Sequence, residues 1–134
     1  ARTLGWIVWI ADHRPALIEQ ARLLGADRII PGRPAETLGD LTGTGIEAAI
    51  VMTHTAEHDL AGLAQLATLD VPYVGLLGPP ARRDELLARL TPGQRVSLVG
   101  RLHAPVGLLL GGEGPEAIAL AVAAELQRSF HEVR

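Results

Sequence analysis

Two textures of apolar residues alternate along the chain: short runs rich in β-branched side chains, and longer stretches with apolar positions three and four apart. The first texture predicts strands and the second predicts helices. Ile7 to Ile10 form such a run, and Asp12 and Pro15 then turn the chain into a segment with apolar residues at 17, 18, 21 and 24. Gly25 suits the left-handed end of that helix, and DRIIPGRP gives a short strand closed by proline and glycine. A brief helix or turn covers Ala35 to Leu41. AAIVM, residues 48–52, is a continuous apolar run too short for a helix, the pattern of a strand buried on both faces of a parallel sheet, and it reads as a central strand.

Leu60, Leu63, Ala64 and Ala67 mark one face of a helix over 57–69, and VPYVGLLG, 71–78, is the next strand. Pro79 and Pro80 open another helix that RRDELLARL carries to Leu90, because the first helical turn has amides without intrahelical partners. TPGQ breaks it. In VSLVGRLHAPVGLLLGG the best strand candidate is GLLL, and the last helix is opened by Pro115, with Glu116 in its first turn and apolar residues at Ile118, Val122 and Leu126. No internal repeat or linker interrupts the series. Regular strand–helix alternation predicts a single α/β domain over residues 1–134, a three-layer α/β/α, Rossmann-like arrangement of a mostly parallel sheet with helices on both faces.

Composition narrows the partners. The chain has 134 residues, 48% hydrophobic but only 3% aromatic, so the core is built from Leu, Ala, Ile and Val. All 12 basic residues are arginine and cysteine is absent, which removes disulfides, thiolate metal sites and cysteine nucleophiles and makes the cytoplasm the expected location. A net charge of −3 without a basic run argues against nucleic acid, and apolar stretches such as IALAVAA fall short of the ~20 residues a membrane span needs.

In a parallel sheet, ligands bind beyond the carboxyl ends of the strands, which singles out ADHR (11–14), THTAEHD (53–59) and GLLGPPARR (75–83). Asp12 has the position of an acid that accepts from a ribose diol, or equally of a helix-capping aspartate. His54 and His58 are four apart, a spacing that serves zinc on a helix, but His54 belongs to a strand exit and His58 to a helix start. Thr53 or Thr55 as a cap, with Glu57 and Asp59 in the first turn, accounts for the remaining polarity there. Gly75 and Gly78 allow close backbone approach, the helix start offers free amides, and Arg82 and Arg83 add charge: an anion site is the expectation, with pairing to Asp84 or Glu85 as the alternative. Ser97 and Ser129 lie outside any nucleophile-elbow context, and GEGPE lacks the lysine of a phosphate loop.

Taken in order, VMTHTAEHDL, VPYVGLLGPPARRDELLARL and APVGLLLGGEGPEAIALAVAAEL resemble the Rossmann-type C-terminal domain of the XdhC/CoxI family, accessory proteins of xanthine dehydrogenase maturation. The resemblance implies a non-enzymatic factor that binds molybdenum cofactor (molybdopterin), aids its sulfuration and insertion, and partners a molybdenum hydroxylase of the xanthine dehydrogenase type. On this reading Arg82, Arg83 and the neighbouring amides are placed on phosphate, Asp12 on a ribose or pterin donor, and His54 with Asp59 as polar contacts. A nicotinamide (NAD(P))-binding oxidoreductase or its relic, and a docking module without small-molecule binding, are the competing readings.

The chain departs from the family's pattern in Gly78-Pro79 for Gly-Ser, in Gly107-Leu108-Leu109 for Gly-Leu-Asp, and in Ala121 for serine. A first strand with a GAGH-like turn, usual ahead of GWIVWIADHR, is also missing. Its loss predicts a gap between the strands at 6–10 and 48–52, to be filled by a preceding fragment, by strand exchange in a homodimer, or by an altered strand order.

Overall fold

The computed structural model describes residues 1–132, the side chain of Asp40 apart. After a 3-10 turn at Arg2–Leu4, the chain forms β1 (Trp9–Asp12), α1 (Pro15–Leu23), β2 (Arg28–Pro31) and α2 (Pro34–Thr37), which runs on into a 3-10 turn at Leu38–Leu41. Then follow β3 (Ala48–Val51), α3 (Ala56–Leu66), β4 (Tyr73–Leu76), α4 (Pro80–Arg89), α5 (Pro92–Leu98), β5 (Leu102–His103) and α6 (Gly114–Glu132). All pairings are parallel, so this is a Rossmann-type α/β fold. Among the described residues, no helix is long and apolar enough to cross a membrane.

The sheet is divided at the place where the sequence predicts a gap. β1 pairs with β2, and β3, β4 and β5 pair in that order, but β1 and β3 do not pair with each other. The strand expected to be central, Ala48–Val51, is therefore an edge of the three-stranded part. It is only half-buried up to Ile50, while β4, paired on both sides, is buried at every position. Burial on both faces and both edges is what a continuous apolar strand requires, and β4 alone achieves it.

Helices cover the two faces of this part of the sheet. Leu63 and Leu66 of α3, Leu86 of α4, Leu98 of α5 and Val74 and Leu76 of β4 make one core. On the other face, Leu126 and Val122 of α6 pack with Tyr73, Val106, Ile50 and Trp6. Gly75 lets this second layer approach: a Cβ there would lie 2.6 Å from Val106 Cγ2 and 2.9 Å from Ile50 Cδ1. The residue thus serves packing inside β4 rather than a loop at its end.

Two expectations are corrected. TPGQ ends α4 but also begins a helix: Pro92 occupies the first turn of α5, and Thr91 and Gln94 form a reciprocal capping box across the start. GLLL, 107–110, is not a strand; β5 is the two-residue Leu102–His103, while Leu109 is fully exposed and Gly107, Gly111 and Gly112 have positive φ. An apolar run interrupted by left-handed glycines cannot keep the pleat a ladder needs.

Gly75→Ala should lower the midpoint of denaturant unfolding by the equivalent of about 1–3 kcal/mol, the usual range for a methyl forced into a filled core. An unchanged midpoint would show that Val106 and Ile50 are not packed against this glycine.

Candidate functional site

The carboxyl end of β1 is fixed by one carboxylate. Asp12 accepts from the Arg14 backbone N–H at 2.8 Å, from Arg14 Nε at 3.1 Å and from Arg14 Nη2 at 2.9 Å. The Arg14 side chain is the largest cause that holds the Asp12 carboxyl down, at about 2, although partial burial opposes it. The aspartate folds the turn into α1 and remains an ionised acceptor. Next to it, His13 meets His58 of α3 edge to face, with ring centroids 4.8 Å apart.

At the exit of β3 the polar residues divide their work differently from the expected threonine cap. Thr55 is the N-cap of α3 but makes no side-chain capping bond. Instead Asp59, 1% exposed, reaches back and accepts from the Thr53 N–H at 2.9 Å and from Thr53 Oγ1 at 2.6 Å. A hydroxyl has one proton to give, and the shorter contact assigns it to Asp59; Thr53 Oγ1 in turn accepts from the Thr55 N–H at 3.3 Å. His54, between the threonines, is exposed and has φ 63°, the left-handed region.

The exit of β4 turns its charge inward. Arg82 Nη2 donates to Asp59 Oδ2 at 2.6 Å, and the side chain passes over Gly78, whose φ is 136° and where a Cβ would lie 3.2 Å from Arg82 Cδ. Arg82 Nε is buried without a partner among the described residues. Arg83 donates from Nε to Asp84 at 2.9 Å and from Nη1 to the Ala104 carbonyl at 3.0 Å. Both arginines expected on an anion thus hold protein oxygens, and Arg83 takes the pairing with Asp84 named as the alternative.

A cleft of about 750 Å³ opens between β1 and β3. Its polar lining includes Asp12, Arg14, Thr53 and His54, and its walls are apolar, with Trp9, Ile10, Val51 and Leu66 among them. Of the sequence-predicted residues, Asp12 and His54 are brought together here; Asp59, Gly75, Gly78, Arg82 and Arg83 lie outside the lining. Among the described residues, no group of three histidines or acids could hold a metal ion.

Sequence reasoning missed a second polar cluster. The Tyr73 hydroxyl donates to Glu125, which also accepts from the Gly107 N–H at 3.2 Å, and His103 stacks on the Tyr73 ring at 4.1 Å with its Nδ1 3.6 Å from Glu125. Burial first, and then Glu125, pushes the Tyr73 phenol well above its ordinary value. The signal was an acid three positions after Val122, on the apolar face of the last helix.

Comparison with known proteins gives one consistent answer. A family model described as the XdhC Rossmann domain matches residues 1–126. A Bacillus subtilis (strain 168) protein, named as a probable subunit of xanthine dehydrogenase, is 34% identical over 126 residues, covering 94% of this chain and 36% of that protein. An Escherichia coli (strain K12) protein, YqeB, is 28% identical over 131 residues, with 83% of this chain and 24% of its own length covered. A crystal structure described as a xanthine dehydrogenase from Bacillus halodurans superposes with a TM-score of 0.79 at 28% identity, over 98% of this chain and 38% of that one. The chain spans little more than a third of that structure's length.

Two measurements check this geometry. Asp59→Ala should cost about 3 kcal/mol, since it leaves the Arg82 guanidinium largely buried without its counter-charge, and Asp59→Ala combined with Arg82→Met should cost less than the single change. In an NMR titration Asp12 should titrate near 2, and Arg14→Ala should raise it toward the ordinary 3.8. Because the folded value is the lower one, the stabilisation is complete above the unfolded value and is lost as pH falls toward 2.

Proposed function

Because the chain belongs to the XdhC Rossmann-domain family, we propose that it is the cofactor-holding part of an accessory protein that serves a molybdenum hydroxylase of the xanthine dehydrogenase type in the cytoplasm. Its ligand is the molybdenum cofactor, received at the carboxyl edge of the parallel strands and passed on in its sulfurated form. When bound, the cofactor supplies the molybdenum centre that the receiving enzyme uses for its redox chemistry.

The observation that carries this reading is the meeting of Asp12 and His54, from two distant strand exits, on one cleft. The residues present suit a pterin with a phosphate tail. Asp12, held ionised at about 2, is an acceptor for the amino and ring N–H donors of a pterin, and Arg14 beside it offers positive charge to an acidic group. His54 stands exposed at the opposite wall as a further polar contact. Arg82, its guanidinium paired with Asp59, lies behind the edge and outside the cleft lining. The role is that of a carrier: an acid that stays ionised near neutral pH holds a donor and does not deliver a proton.

Thermal shift with purified molybdenum cofactor tests the reading. The protein should be stabilised, and Asp12→Asn should weaken binding about ten- to a hundredfold, in keeping with the ~1.5–3 kcal/mol of a hydrogen bond to a charged group. A response to NADH but not to the cofactor would transfer the site to the dinucleotide reading. Complex formation with the hydroxylase, without any small-molecule response, would make the chain a docking module.

A further inference from the structure

Around the start of α6 the chain carries apolar side chains that no described element covers. Leu109 is fully exposed, Leu120 is 64% exposed, Leu110 52% and Ile118 46%. Single exposed apolar residues are ordinary, but a contiguous group of them marks an interaction surface. These four are contiguous because the segment between β5 and α6 lies along the helix. A Cβ on Gly107 would lie 3.2 Å from Ala121 Cβ, and one on Gly112 would lie 3.1 Å from Ala117 Cβ. Ala117 and Ala121 are one turn apart on one face, about 6 Å along the axis, so Leu109 and Leu110 span that turn. At about 100° per residue, Ile118 and Leu120 fall about 80° to either side of the alanine line. The result is an apolar ridge, with the loop as its crest and one side chain on each flank.

The crest is anchored by its backbone. The Gly107 N–H donates to Glu125 at 3.2 Å, the Leu108 N–H to the Ala121 carbonyl at 3.1 Å, and the Leu110 N–H to the Leu108 carbonyl at 3.0 Å. An apolar side chain held out on an ordered loop loses little freedom when it is covered, which favours binding.

Charge defines what covers it. From Ala104 to Gln127 the chain has no arginine, lysine or histidine, whereas Glu113 and Glu116 are exposed beside the ridge. We propose that the ridge docks a partner protein through an apolar socket rimmed by arginine or lysine. A second copy that met the ridge through the same patch would bring no counter-charge for either acid. The ridge also faces a definite direction. β5 ends at His103 and the Val106 N–H bonds to the carbonyl of Leu76, the last residue of β4, so the segment leaves the sheet at the carboxyl edge where Asp12 and His54 stand at the exits of β1 and β3. Under the function proposed above, on which this identification rests, the partner is the hydroxylase that receives the cofactor, docked toward the edge from which it is delivered.

Biolayer interferometry with the purified hydroxylase of the chain's own organism as probe tests the surface. Leu109→Asp and Leu120→Asp should each weaken binding at least about tenfold, as loss of an apolar anchor at the centre of an interface does. Glu113→Lys combined with Glu116→Lys should slow association and flatten its salt dependence. Val96→Asp, on α5 at the opposite face of the sheet and 72% exposed, should leave binding unchanged. All these positions are exposed, and equal thermal midpoints check that the variants fold. Binding that survives both aspartates, or no binding by the unaltered chain, overturns the proposal. So does a dimeric mass by light scattering that Leu109→Asp converts to a monomer, which assigns the ridge to a second copy. Thermal shift with the cofactor reads the cleft, which none of these residues lines, so a missing cofactor response with ridge-dependent binding intact sinks the carrier reading alone.

Discussion

A carboxylate withdrawn from water must find donors, and the site depends on how Asp59 finds them. It sits in the first turn of α3, where a negative charge is favoured. Its hydrogen-bond donors come from other elements: Thr53 at the exit of β3, through amide and hydroxyl, and Arg82 in α4. One side chain therefore fixes where a strand ends, where a helix begins and how the next helix lies against both. The exposed pair of Arg89 and Glu57 joins α3 and α4 as well, but it is solvated and contributes little by comparison.

Glu125 answers the same constraint on the opposite face. It gathers the Tyr73 hydroxyl, the Gly107 amide and the edge of His103, tying α6 to β4, β5 and the segment between. Gly107 brings that segment against the helix, since a Cβ there would lie 3.2 Å from Ala121 Cβ, and Leu108 donates to the Ala121 carbonyl. Ala121 in place of serine, and the Leu109 that follows in place of aspartate, thus fall where the backbone is held by packing and main-chain bonds. On both faces a buried acid does the positioning, and apolar layers surround it.

Much of the fold was legible because proline, glycine and β-branched runs punctuate this chain clearly: α1, α3, α4 and α6 and the strands β1 to β4 all lie within a few residues of their expected places. The division of the sheet was expected from the family resemblance, and β1 and β3 indeed do not pair. What escaped depended on partners far away in sequence. Arg82 and Arg83 read as free charge at a helix start, and only the fold shows Asp59 and the Ala104 carbonyl waiting for them. α5 escaped because Pro-Gly reads as a stop, although Thr91 and Gln94 at capping-box spacing mark a start. GLLL escaped because apolarity says nothing of φ.

The backbone of His54 has a consequence for how this position varies. With φ at 63°, it occupies a region that glycine enters freely, that asparagine, aspartate and histidine enter at modest cost, and that β-branched residues avoid. The position therefore filters substitutions by shape before chemistry. Asparagine or glycine keeps the path of the chain out of β3 and loses only the imidazole, whereas valine or threonine distorts the loop itself. A histidine here is one of few side chains that unite a ring, two nitrogens and tolerance of that turn, so its presence records a backbone requirement as much as a chemical one.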